Sequence, residues 1–102
     1  MRDDDDDLNP LPSIDLHRMP GDQATRALAR ELHAARVRGE VKVLAITGRG
    51  FGNRLQEPIL RGKVEAWLAS EEGKRLGVLG FRRVHRDGAL EIDLASRGQR
   101  DE

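Results

Sequence analysis

The sequence predicts a two-layer α/β sandwich of order β-α-β-α-β-β, a four-stranded mixed sheet with two helices on one face. Three observations carry it. Apolar and polar residues alternate near both ends of the chain, a nearly continuous β-favouring run lies between them, and two stretches place apolar residues at helical spacing. A chain of 102 residues has room for one small domain. We place that domain at 13–95, between an acidic leader at 1–12 and a polar tail at 96–102.

In Ser13-Ile14-Asp15-Leu16-His17 the alternation sends Ile14 and Leu16 to a core and leaves Asp15 and His17 together on the opposite face. Pro20 and Gly21 break the strand. From Asp22 to Arg38, Ala24, Ala27, Leu28, Leu32 and Ala35 recur at helical spacing, and Gly39 is placed to end the helix. Val41 to Thr47 reads as a central strand, apolar on both sides, and it opens into the glycine-dense Gly48-Arg49-Gly50-Phe51-Gly52-Asn53. A second helix starts at Pro58, a residue suited to a first helical turn, with Leu60, Val64, Trp67 and Leu68 as its apolar stripe. Val78 to His85 forms a third strand, Asp87-Gly88 signals a two-residue hairpin, and Ala89 to Leu94 alternates as the fourth strand.

Charge is unevenly distributed. Residues 1–12 carry five Asp against one Arg, a net of −4, so residues 13–102 carry a net of +4 within a chain that is neutral as a whole. Five adjacent aspartates repel one another and bury nothing, which predicts a disordered, solubilising leader; competition with nucleic acid for the basic face is its alternative role. The chain lacks cysteine, which excludes disulfides, thiolate metal sites and a cysteine nucleophile. It also lacks an apolar run of membrane-spanning length and a signal-peptide pattern, so a soluble, cytoplasmic protein is expected. With Phe51, Trp67 and Phe81 as its aromatic residues, it cannot build an extended stacking platform for single strands.

In a parallel β-α-β unit, the carboxyl ends of both strands lie on one edge of the sheet, where ligands of open α/β sheets bind. That edge gathers Asp15 and His17 from the first strand with Thr47, Gly48, Arg49 and Gly50 from the second. Glycines let successive backbone N–H groups approach a phosphate closely, and Arg49 and Arg54 add charged donors. The loop has neither the P-loop ending nor the dinucleotide-binding spacing. Imidazole titrates near pH ~6.5, and a neighbouring carboxylate orients it, so an Asp-His pair beside a phosphate cradle can move protons. On a strand such a pair is more often only solvated or hydrogen-bonded, and the glycine loop by itself is equally a plain β–α connection. His33 reads as a surface residue, and His85, beside Arg86, as exposed or touching phosphate. Glu91 and Asp93 share a face on which they either are solvated or complete a metal site with Asp15.

These motifs resemble the Smr (small MutS-related) domain family. Ile14-Asp15-Leu16-His17 stands where that family has Leu-Asp-Leu-His-Gly, and Thr47-Gly48-Arg49-Gly50 matches its His/Thr-Gly-x-Gly motif. Ile59-Leu60-Arg61 with Val64, Trp67 and Leu68 resembles its second helix, and Gly88-Ala89-Leu90 with Ile92 and Leu94 its closing strand. The match runs from about Ser13 to Leu94. Arg18 replaces the family's glycine after the histidine, which either stiffens the turn or adds a phosphate contact. The glycine loop also runs long, through Glu57.

The resemblance implies a fold like the carboxyl-terminal domain of translation initiation factor three. It also implies nucleic-acid binding and, in many members, endonuclease activity, with links to DNA nicking and to messenger RNA cleavage on stalled ribosomes. The expected protein is therefore an endonuclease with Asp15 and His17 as proton-transfer residues. Thr47, Gly48, Arg49, Gly50, Gly52, Arg54 and Arg18 would bind phosphate. RNA is favoured over DNA, because its 2′-hydroxyl is a built-in nucleophile, whereas a DNA substrate would bring in a divalent metal. The alternative is a non-catalytic adaptor binding nucleic acid or the ribosome, and a third reading is a protein-interaction domain using the open sheet face. No membrane partner is expected, and a monomer is favoured over a dimer.

Overall fold

A computed structural model describes residues 11–48 and 56–96, with the backbone alone described at 56–58. The order of elements is β1 (Ser13–Asp15), α1 (Gly21–Val37), β2 (Lys42–Ile46), α2 (Gln56–Leu68), α3 (Glu71–Arg75), β3 (Val78–Val84) and β4 (Ala89–Leu94). The four strands form one sheet in the order β1-β2-β4-β3. β1 runs parallel to β2, with Asp15 beside Ile46, and the remaining neighbours are antiparallel. The mixed sheet and the two long helices agree with the sequence reading. The short α3 is an addition to it.

Packing explains the two layers. Val43 and Ala45 of β2 and Leu90, Ile92 and Leu94 of β4 point to one side of the sheet. There they join Leu28 and Leu32 of α1 and Leu60, Val64 and Leu68 of α2 in a single core, all 5% exposed or less. Each such aliphatic side chain contributes about 1.5–3 kcal/mol of burial. Trp67, expected in the core, is half-buried and packs against its margin. On the opposite side of the sheet Leu44 and Ile46 remain half-buried, as the two-sided apolar pattern of β2 requires when only one face is covered.

The ends of the elements follow local chemistry. Gly39 takes a φ of +88° after α1, and the N–H of Glu40 reaches back to Ala35 O at 2.9 Å, the long-range bond of a Schellman closure. α3 is capped by Ser70, whose hydroxyl accepts from the N–H of Gly73. In β3 the register slips between Val78 and Gly80, leaving Leu79 as the extra, 65% exposed residue of a bulge.

Two expectations need correction. β1 ends at Asp15 rather than His17, because the chain turns there: Met19 N–H bonds to Leu16 O at 3.1 Å. The hairpin turn falls one residue before Asp87-Gly88. Val84 pairs with Ala89, Gly88 N–H bonds to His85 O at 3.0 Å, and Arg86 and Asp87 take φ of +58° and +68°, as in a type I′ turn. Gly88 is held in the flank of the turn because its carbonyl accepts from both Thr47 N–H and Gly48 N–H, at 3.0 and 2.9 Å.

Candidate functional site

The site is built at the edge of the sheet where β1 and β2 end and β4 begins. Asp15 and His17 lie on the open side, 56% and 42% exposed at their side chains, while Leu16 between them is fully buried. Asp15 Oδ1 accepts from the His17 backbone N–H at 3.1 Å and meets His17 Nδ1 at 2.5 Å. Partial burial works against charge on Asp15. The hydrogen bonds from the His17 ring and backbone, with the attraction of the ring, outweigh it and hold the carboxyl below its ordinary 3.8. An ionised carboxylate only accepts, so in this contact the ring Nδ1 is the donor.

Arg18 completes the turn out of β1 with a φ of +69°, in the left-handed region. At the third position of a type II turn that region favours glycine, so the arginine has kept the backbone shape that a glycine would take there. Its side chain is exposed, with no partner among the described residues.

Thr47 and Gly48 follow β2. Thr47 is fully buried on the core side, and its hydroxyl has no hydrogen-bond partner among the described residues. Its backbone N–H and that of Gly48 already bond to Gly88 O. Neither of these two N–H groups is therefore left for a phosphate. Arg49, Gly50, Gly52 and Arg54 lie outside the described residues.

The structure adds neighbours from outside the two strand-end motifs, His85 and Arg86 among them. Since β4 lies beside β2, the β3–β4 turn stands next to Gly48, with His85 and Arg86 exposed at its tip. Arg61, from α2, donates from Nη1 to Asp87 O at 2.9 Å and anchors the turn, while its buried Nε has no partner among the described residues. Arg61 stood within the helix motif, but nothing local in the sequence shows that it reaches a turn 26 residues away. His33 is exposed on α1, as expected.

Glu91 and Asp93 are not brought to Asp15. They pair with Leu44 and Lys42 in the register, further down β2 than Ile46. Each is engaged by a cation, Glu91 by Arg82 Nε at 2.7 Å and Asp93 by Lys42 Nζ at 3.0 Å. Among the described residues no group of three acidic or histidine side chains converges on one point, and no helix is long and apolar enough to cross a membrane.

No curated protein matches the chain. A family profile does: the Smr domain matches residues 14–94, from within β1, just ahead of Asp15 and His17, to the end of β4. That family is associated with nucleic-acid binding and with nicking endonuclease activity. The match covers both strand-end motifs and the whole sandwich between them, and the chain therefore belongs to the Smr domain family.

Proposed function

We propose that this Smr domain is an endonuclease that cleaves phosphodiester bonds, RNA in preference to DNA, with Asp15 and His17 as its proton-transfer residues. The observation that carries the proposal is the solvent-facing Asp15–His17 pair, hydrogen-bonded at the end of β1, on the sheet edge it shares with Gly48 and the β3–β4 turn. With Nδ1–H held by Asp15, His17 Nε2 is free to take the proton of a ribose 2′-hydroxyl. The 2′-oxygen then attacks phosphorus and the bond to the 5′-oxygen breaks. That oxygen takes a proton from solvent, leaving a 2′,3′-cyclic phosphate and a 5′-hydroxyl. The ionised Asp15 stabilises the imidazolium formed on the way. Negative charge gathering on the phosphate would be met by Arg18 and by the Arg49 and Arg54 expected from the sequence. The ribosome is a candidate setting for such a substrate, and the cytoplasm its place.

End-labelled RNA and matched DNA, incubated with the wild type and with His17→Ala, with and without EDTA, test this. RNA cleavage should survive EDTA and end in a cyclic phosphate. It should fall at least 100-fold in His17→Ala, the scale of a lost general base. A 2′-deoxynucleotide at the cleaved position should abolish it. EDTA-sensitive DNA nicking would instead assign the chemistry to a metal-activated water. Nucleic-acid binding with no cleavage in the wild type would make the domain an adaptor.

A further inference from the structure

On the open face of the sheet a hollow of about 730 Å³ lies between the catalytic corner and the β3–β4 turn. Leu44, Ile46 and Ala89 line it on the sheet side, and Gly48, His85 and Arg86 at its edge. It adjoins a second hollow of about 480 Å³ that shares Leu44 and His85 and continues toward Leu11 and Val84. Ile46 is the register neighbour of Asp15, so the hollow begins one strand spacing, about 4.8 Å, from the proton-transfer pair.

We propose that this hollow is a subsite for one unpaired base, that of a nucleotide next to the cleaved bond, with Arg86 holding the adjoining phosphate. The inference rests on the endonuclease reading and adds to it the substrate class, a single strand. Charge and shape both select this occupant. His85 and Arg86 rim the hollow, and neither side chain has a partner among the described residues. Arg18 stands free in the same sense beyond His17, and the acidic Glu91 of the second hollow is neutralised by Arg82. Side chains on a pleated sheet make a flat aliphatic floor, which a planar base can cover. A duplex offers phosphates and groove edges to such a surface, with its base faces stacked away inside. Aliphatic residues and one imidazole suit a single base, in keeping with a chain too poor in aromatics for a longer platform.

The turn that presents Arg86 is strained. His85, Arg86 and Asp87 take φ of +53°, +58° and +68° in succession, a conformation that glycine adopts freely and arginine does not. Arg86→Gly therefore removes the guanidinium without threatening the fold, which keeps the test clear of misfolding.

The full chain carrying His17→Ala, which holds substrate uncleaved, is titrated with fluorescently labelled RNA whose cleavage site the preceding assay has mapped. The expected result is single-stranded RNA bound at least fivefold tighter than its duplex. An abasic nucleotide beside the cleaved bond should lower affinity about fivefold, and one placed far from it should not. Ile46→Ser should lower affinity equally for the intact strand and should then ignore the abasic change, since partners in contact are not additive. Arg86→Gly should weaken binding threefold or more with an unchanged or higher Tm. The subsite falls if duplex and abasic strands bind as well as the intact one while His17-dependent cleavage persists. It falls likewise if the abasic penalty is the same with and without Ile46. A dimer in sedimentation that Ile46→Ser dissociates would give the face to a second copy instead. Neither binding nor cleavage of any nucleic acid would overturn the endonuclease reading, and this inference with it.

Discussion

At the residue scale, Arg18 shows how the chain holds the strand end that carries Asp15 and His17. His17 is fixed from two directions: Asp15 accepts from its ring and its backbone N–H, and the turn that follows closes through Met19 N–H and Leu16 O. The turn needs a left-handed residue, and arginine fills the place at φ +69°. The left-handed region costs a non-glycine residue about 1–2 kcal/mol, while glycine gives back about 0.5–1 kcal/mol through its freer unfolded chain. Arg18→Gly should therefore stabilise the fold by about 0.5–1 kcal/mol, a rise of some degrees in Tm for a domain of this size. The guanidinium beside His17 is lost in the same step, so affinity for nucleic acid should fall. A lower Tm would mean that the Arg18 side chain holds the turn. A higher Tm with unchanged affinity would take Arg18 out of the phosphate site.

At the scale of elements, the strand and helix patterns were legible because each depends on residues close in sequence. The alternation of Leu90, Ile92 and Leu94 and the five apolar positions of α1 are solved by burying one face. The contact between Asp15 and His17 was legible for the same reason, the two being two residues apart where β1 ends. α3 was not, since the five residues Glu71–Arg75 carry no apolar stripe. Nor was the true turn of the β3–β4 hairpin, where the local Asp-Gly preference yields to the tertiary bonds of Gly88 O. His85 and Arg86 reach the site only because β4 inserts between β2 and β3. The hairpin is also tied to α2 by a contact that pH can test. Arg83 binds Glu65 in a forked pair at 2.8 and 3.1 Å. The hydrogen bond from Arg83, against the opposing effect of burial, holds the Glu65 carboxyl below its ordinary 4.5. A carboxylate with a depressed folded pKa adds stability above its unfolded pKa and loses it as pH falls through the folded value. Wild type should therefore be more stable than Glu65→Gln near neutrality, and the gap in Tm should close as pH drops below about 4.5. A gap that stayed constant down to acid pH would show that the pair acts through packing rather than charge.

At the scale of the whole molecule, the two ends of the sheet do different work. The edge where β1 and β2 end carries the exposed, strained and open features: Asp15 and His17, the left-handed Arg18, and the turn at 85–88. The opposite edge is closed by Arg36, at the end of α1. Its Nε donates to Ala95 O at 3.2 Å, Nη1 to Leu76 O at 3.3 Å and Nη2 to Ser96 O at 3.5 Å. One side chain thus joins the first helix to the entrance of β3 and the exit of β4, across up to 60 residues of sequence. Gly77 lies directly beneath it, at φ +98°, where an added Cβ would stand 2.8 Å from the arginine. Hydrogen bonds from a charged donor are worth about 1.5–3 kcal/mol when short. These are long and partly solvated, so Arg36→Ala should cost about 1–3 kcal/mol in all. Denaturant unfolding should show that loss as a lower midpoint with an unchanged slope, because the same surface is still exposed on unfolding. Well below the new Tm the rate of the proposed RNA cleavage should match that of the wild type, since Arg36 stands at the far end of the sheet from His17. A large drop in cleavage by a fully folded Arg36→Ala would mean that the two edges are coupled through β2 and β4. The site would then depend on the clasp for its geometry as well as for its stability.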